Sequence, residues 1–136
     1  MNLLSLDLST KKTGYAVFID GKLKDYGLID STGSGNYQER ILTTREKILK
    51  KIKEFKIEVV ALEEVPMQAN KNLIVAHDLC VCQGVILDIC CMLELGLKIF
   101  FPTSWRSMVG TYDGTREGMK RDVQKEKASE SLIVLM

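Results

Sequence analysis

No C-x-x-C pair and no H-x-x-x-H spacing occur in this chain, which excludes a structural zinc site of the usual kind. Its four cysteines, Cys80, Cys82, Cys90 and Cys91, all fall in one apolar stretch. They read as reduced, buried thiols acting as small apolar side chains. That usage implies a reducing compartment. The N-terminus, MNLLSLDLST, lacks a basic segment and meets Asp7 early, so it does not read as a signal peptide. The most apolar stretch, residues 73–95, is broken by Asp78, Asp88 and Glu94 and is not expected to span a membrane. An excess of one charge sign is also missing. The net charge of +1 gives no overall reason to expect a polyanion partner, so any such partner must be met by local charge. Repeats, low-complexity tracts and linkers are absent. What remains is 136 residues, 46% hydrophobic and 27% charged, which predicts one domain with a core that needs no disulfide.

Residues 3–8 alternate, with Leu4, Leu6 and Leu8 on one face and Ser5, Asp7 and Ser9 on the other, which predicts a strand. Residues 10–14 read as a turn with Gly14 supplying conformational freedom. A second strand is predicted over 15–19, a two-residue hairpin turn at Asp20-Gly21 and a third strand over 23–29. Residues 31–36 form a Gly/Ser loop. Tyr37, Ile41, Ile48, Ile52 and Phe55 recur as one face of a helix over 37–55. Residues 57–62 are a β-rich run that ends on Glu63, with Pro66 stopping it. Residues 72–95 predict a long helix, apolar on nearly all sides and therefore central and buried, capped by Gly96. A short strand over 98–101, a helix capped by Ser104, a polar loop over 111–118 and a last helix over 119–136 complete the order. The class is α/β: three antiparallel strands, then βα units, in a mixed sheet flanked by helices. A right-handed crossover would lay the Asp7 strand beside and parallel to the Glu63 strand.

A carboxylate inside a strand faces a desolvation cost unless something compensates. Asp7 points away from Leu6 and Leu8. Ser5 and Ala61, each two residues before an acid, are small and leave room above the sheet for an ion and a bulky substrate. Two carboxylates on adjacent strands repel without a cation. Mg²⁺, a hard oxygen-binding ion, is the expected one. Paired metals stabilise the attacking and leaving oxygens of phosphodiester cleavage. Pattern alone leaves a second reading open, in which Asp7 caps a turn and Glu63-Glu64 is a solvated strand end.

Four segments resemble the RuvC-type Holliday junction resolvases, in particular their small phage versions. LLSLDLSTKKTGYAVF is similar to the family's opening strand and Thr-Gly turn. VVALEEVPMQANKN is similar to its strand ending in a catalytic Glu, here Glu63 with Glu64 as neighbour. FFPTSWRSMVG resembles its strand-Pro-helix segment, and Lys120 with Val123-Gln124 the basic start of its last helix. The resemblance covers about residues 2–128 and implies a ribonuclease H-like five-stranded sheet, a homodimer, Mg²⁺ or Mn²⁺, and cleavage of branched DNA such as four-way junctions. It implies catalytic roles for Asp7, Glu63 and Lys120, with Glu64 beside Asp7 and Glu63 at the metal. The reduced cysteines, the N-terminus and the interrupted apolar stretch together place the expected location in the cytoplasm, that of the host if phage-encoded. One departure stands out. The family's last helix carries D-E-A-D or D-D-A-D, whereas this chain ends KASESLIVLM, where Glu126 and Glu130 match neither. The expectation drawn is a truncated resolvase with impaired catalysis, or a junction-binding protein without turnover. D-L-S-T-x-x-T-G also resembles the phosphate loop of actin-like and sugar-kinase proteins, but the chain is too short for their second domain.

Lys47, Lys50, Lys51, Lys53 and Lys56 crowd the first helix and read as a solvated face. Lys11, Lys12, Thr13, Asn70, Lys71, Arg106, Arg116, Lys120 and Arg121 fall in turns, loops or helix starts and are the candidate DNA contacts. Recognition is expected to be mainly by backbone and shape. Lys120 would stabilise charge on the scissile phosphate. Trp105 and His77, the sole tryptophan and histidine, read as core residues.

Overall fold

The structure is a computed structural model that describes residues 1–65 and 73–100. Its frame is one five-stranded sheet in the order β3-β2-β1-β4-β5. The strands are β1 (Asn2–Asp7), β2 (Lys12–Ile19), β3 (Lys22–Asp30), β4 (Val59–Glu63) and β5 (Gly96–Phe100). The first three meander antiparallel, while β4 lies parallel to β1 and β5 parallel to β4. The hairpin at Asp20-Gly21 forms as expected, both residues taking positive φ, 51° and 80°.

Two helices follow the strands they serve: α1 (Tyr37–Glu54) after β3, and α2 (Leu73–Met92) after β4. The side chain of Asn36 caps α1 by accepting from the Glu39 N–H at 2.9 Å. Lys51 and Lys53 sit in its last turn, where the helix dipole favours cations. Ile48 and Ile52 on its apolar face are buried against Leu4, Leu6, Val17, Val60 and Leu62, together with Ile86, Ile89 and Cys90 of α2. Both helices therefore cover the same face of the sheet. The opposite face carries a smaller cluster of Leu3, Phe18 and Ala61, with Ala16, Val59 and Phe100 against it.

Several expectations are corrected here. The β2 strand begins at Lys12, because residues read as a loose turn already pair with β3, Lys12 opposite Asp30. Gly96 is not a helix cap; it opens β5, where an added Cβ would stand 3.2 Å from Val59 Cγ2. The left-handed position after α2 is taken by Glu94, at φ 55°. The α2 helix is not buried all round. Asp78, Cys82, Ile86, Ile89 and Cys90 face inward, whereas Leu73 and Ile74 are 81% and 74% exposed and Val75, Val81 and Leu87 are also exposed. By length and composition α2 is apolar enough to cross a membrane, yet its inner face is part of the sheet's core. Of the cysteines, Cys82 and Cys90 are buried as expected, but Cys80 and Cys91 are exposed, lying on the outer side of α2. Lys51 is not a freely solvated charge but a half-buried, paired one. Its Nζ is 2.9 Å from Asp25 Oδ2 and lies over the Tyr15 ring, 4.9 Å from the centroid. The expected segments beyond Phe100, with Trp105, lie outside the described residues.

Candidate active site

A strand places a side chain by parity and register alone. The β1–β4 ladder pairs Ser5 with Ala61 and Leu6 with Leu62. One step further along the same register stand Asp7 and Glu63, the last residues of their strands. Since Leu4, Leu6, Val60 and Leu62 face the helices, Asp7 and Glu63 face the other way. Parallel pairing puts both on that face, about 4.8 Å apart at the backbone. Both are half-buried, and Glu63 buries its Oε1.

The neighbours widen this into a row across the sheet. Gly14 on β2 is opposite Asp7, and Leu28 on β3 is opposite Gly14. On the other side Phe100 on β5 is opposite Glu63. An added Cβ on Gly14 would meet Asp7 Cβ at 3.6 Å. Gly14 was read for turn freedom, yet positive φ occurs at Gly21 and Gly35 and not at Gly14. Its use is the space it leaves beside Asp7. The signal was available in Lys12, Gly14, Ala16 and Phe18 once β2 is started at Lys12.

Topology supplies a second reason for a site here. From β1 the chain moves to one side through β2 and β3, then crosses to the other side through β4 and β5. The β1–β4 junction is thus where the winding reverses. Open α/β sheets bind ligands outside the carboxyl ends of the strands at such a point. Asp7 and Glu63 end the two strands that flank it.

The turn after Asp7 is held rigidly. Thr13 Oγ1 donates to the Ser9 carbonyl and accepts from the Ser9 N–H, both at 3.3 Å. Thr13 is 1% exposed, so its hydroxyl, read as a DNA contact, is spent on the turn. Arg40 of α1 donates from Nε to the Thr10 carbonyl at 3.2 Å and from Nη1 to the Gly35 carbonyl at 2.8 Å. Ser31, buried, donates its N–H and Oγ–H to the Lys11 carbonyl at 2.8 and 2.9 Å. Sequence reasoning missed both Arg40 and Ser31, which are distant in the chain and carry no local signal. Asp30 accepts from the Thr32 hydroxyl and N–H, which hold its carboxyl below the usual carboxylate range. Lys11 on this turn and Lys12 at the head of β2 are both exposed.

Glu64 does not join the pair. It lies past the end of β4, its N–H donates to the Phe100 carbonyl at 2.7 Å, and its Oε1 accepts from the Val65 N–H at 3.2 Å. Among the described residues no group of three or more His, Cys, Asp or Glu gathers to hold a metal ion. The expected three-acid shell of Asp7, Glu63 and Glu64 is thus not gathered among the described residues. Two carboxylates still fit a hard divalent cation, which commonly takes one or two carboxylates with water and substrate phosphate completing its shell. His77 is corrected as well. It is exposed, with Nδ1 3.1 Å from Asp78 Oδ1 and its ring edge-on to Tyr37, rather than in the core. Met67, Asn70, Lys71, Asn72, Arg106, Arg116, Lys120, Arg121, Glu126 and Glu130 lie outside the described residues.

No family model matches the chain. No curated protein matches it in sequence either. Solved structures do share its fold. RuvC from T. thermophilus in complex with Holliday junction substrate superposes with a TM-score of 0.72 at 14% identity, over 98% of this chain and 92% of that one. A second structure of Thermus thermophilus RuvC gives 0.71 at 16% identity, over 98% and 90%. The yeast mitochondrial Holliday junction resolvase Ydc2 gives 0.58 at 12% identity, over 96% of this chain and 64% of that one. The fold is therefore that of the RuvC resolvases, a ribonuclease H-like mixed sheet, as the opening-strand and Glu63 segments implied. These likenesses do not extend to a phage subset.

Proposed function

We propose that this chain, with the fold of the RuvC resolvases as its premise, is a structure-specific DNA endonuclease that cleaves Holliday junctions and other branched DNA. The observation that carries this reading is the side-by-side placement of Asp7 and Glu63 at the winding reversal of that fold. Asp7 and Glu63 would hold Mg²⁺ or Mn²⁺, and the bound metal would supply an activated water and charge neutralisation at the phosphate. Gly14 keeps the space beside Asp7 open to the substrate. The Thr13, Ser31 and Arg40 hydrogen bonds fix the turn so that Lys11 and Lys12 meet the phosphate backbone from a rigid support. Lys120 is assigned the role of stabilising the scissile phosphate, and Asn70, Lys71, Arg106, Arg116 and Arg121 that of backbone contacts, on the family resemblance. The protein is assigned to the cytoplasm.

A homodimer belongs to this reading, because a four-way junction requires two symmetric cuts. The outer side of α2 supports it: Leu73, Ile74, Val81 and Leu87 are exposed apolar side chains on one helix, an arrangement that marks an interaction surface. The test is cleavage of a synthetic four-way junction and of a linear duplex with Mg²⁺, by this chain and by Asp7→Asn. The expected result is junction-selective nicking that the substitution abolishes. Activity persisting in Asp7→Asn would refute the site, and junction binding without cleavage by the unaltered chain would reduce the reading to a binding protein.

A further inference from the structure

The sheet face that carries Asp7 and Glu63 continues onto the edge strand β3, where it is apolar and open. By register Leu28 lies opposite Gly14, Tyr26 opposite Ala16 and Leu23 opposite Phe18, so all three share that face. Tyr26 is 73% exposed, Leu28 64% and Leu23 44%. Removing such side chains from water is favourable, and a row left in water calls for an occupant. An edge strand with that row would also invite pairing by another chain, and Lys22 and Lys24, both exposed, blunt it.

Leu28 is joined to the acidic pair by nothing bulkier than Gly14. Two strand spacings of about 4.8 Å put Leu28 ~10 Å from Asp7 at the backbone, and Tyr26 stands two residues, ~7 Å, farther down its strand. At ~3.4 Å per stacked nucleotide the resulting ~10–12 Å is the reach of three or four nucleotides. Lys12 on the same face, with Lys22 and Lys24 on the same strand, supplies the positive charge a phosphate chain would follow. We infer that Tyr26 and Leu28 form a stacking platform for unpaired nucleobases of the strand whose phosphate sits at Asp7 and Glu63. The inference rests on the nuclease reading above and deepens it: it assigns the strand leaving the cut to the β3 side of the site. A phenol ring with a flanking leucine suits any base, because every base has a π-face, so the platform selects unpaired over stacked DNA rather than one sequence.

The experiment uses the full chain with Ca²⁺ in place of Mg²⁺ and a four-way junction carrying 2-aminopurine three or four nucleotides from the cut. The unaltered protein should bind and quench the probe. Tyr26→Ala should weaken binding about tenfold, the scale of one lost base–aromatic stack, and restore the fluorescence. Tyr26→Phe should keep both affinity and quenching, which a merely structural role for the hydroxyl would not. Unchanged affinity and quenching in the Tyr26→Ala/Leu28→Ala double variant would overturn the platform alone. So would a change in sedimentation with DNA affinity intact, since that would make the row a protein contact. Failure of the unaltered chain to bind any junction would overturn the nuclease reading itself.

Discussion

Gly14 offers a perturbation that separates stability from activity. Its backbone lies outside the left-handed region, so a larger residue meets no strain there. An alanine Cβ would sit 3.6 Å from Asp7 Cβ, an ordinary contact. Gly14→Ala should therefore stabilise the fold by about 0.4–1 kcal/mol, through the lost freedom of the unfolded chain. Gly14→Val keeps that gain and suits a strand, but its two methyl groups reach beyond the Cβ into the space of the Asp7 carboxylate. Displacing that carboxylate by about 1 Å is enough to cost about a hundredfold in cleavage rate. Urea denaturation measures the first effect, and single-turnover junction cleavage in Mg²⁺ measures the second. The signature is a valine variant at least as stable as the parent with cleavage nearly gone, and alanine intermediate in rate. A folded Gly14→Val protein that cleaves at the parental rate would refute the claim that this glycine keeps the site open.

Two other outcomes follow from burial and charge. Burial pushes the Cys82 thiol up to about 11 and the Cys90 thiol upward as well, so an aromatic disulfide reagent at pH 8 should modify Cys80 and Cys91 rapidly and the other two only on unfolding; four equal rates would contradict the inward face of α2. The Asp25–Lys51 pair sets a pH window. Hydrogen bonds from Lys51 and then Tyr15 hold the Asp25 carboxyl below its ordinary value, and the bond to Asp25 holds Lys51 above 10.5. A depressed carboxyl adds stability above its unfolded value that is lost as pH falls through the folded one, and a raised amine adds stability that is lost as pH climbs past its folded value. Because both groups are partly solvated, Lys51→Met should cost only about 0.5 kcal/mol from the ion pair between about pH 5 and 10, and that difference should vanish in urea melts at pH low enough to protonate Asp25 in the folded protein. A difference that persists there would assign the effect to packing over Tyr15.

The chain's own residues were enough to place Asp7 and Glu63 at the ends of two strands, because alternation in Leu3–Leu8 and the β-rich run before Glu63 are local signals of a fixed period. They also marked the Asp20-Gly21 turn and the helix face of Ile48 and Ile52, each decided within a few residues. The same local logic misjudged Gly14, Thr13 and Gly96. A glycine or threonine looks alike in a turn and at the head of a strand, and only cross-strand pairing tells them apart. Lys51 read as solvent-facing until β3 brought Asp25 beneath it, and α2 read as buried because composition cannot say how many sides of a helix are covered. Glu63 and Glu64 differ by one residue, yet strand parity sends one to Asp7 while the other turns to its own backbone. Residue type and period thus determined which elements form and where their acidic residues fall along them. Register and strand order, set by contacts distant in the chain, decided which of those groups share a face, and so which of them form the site.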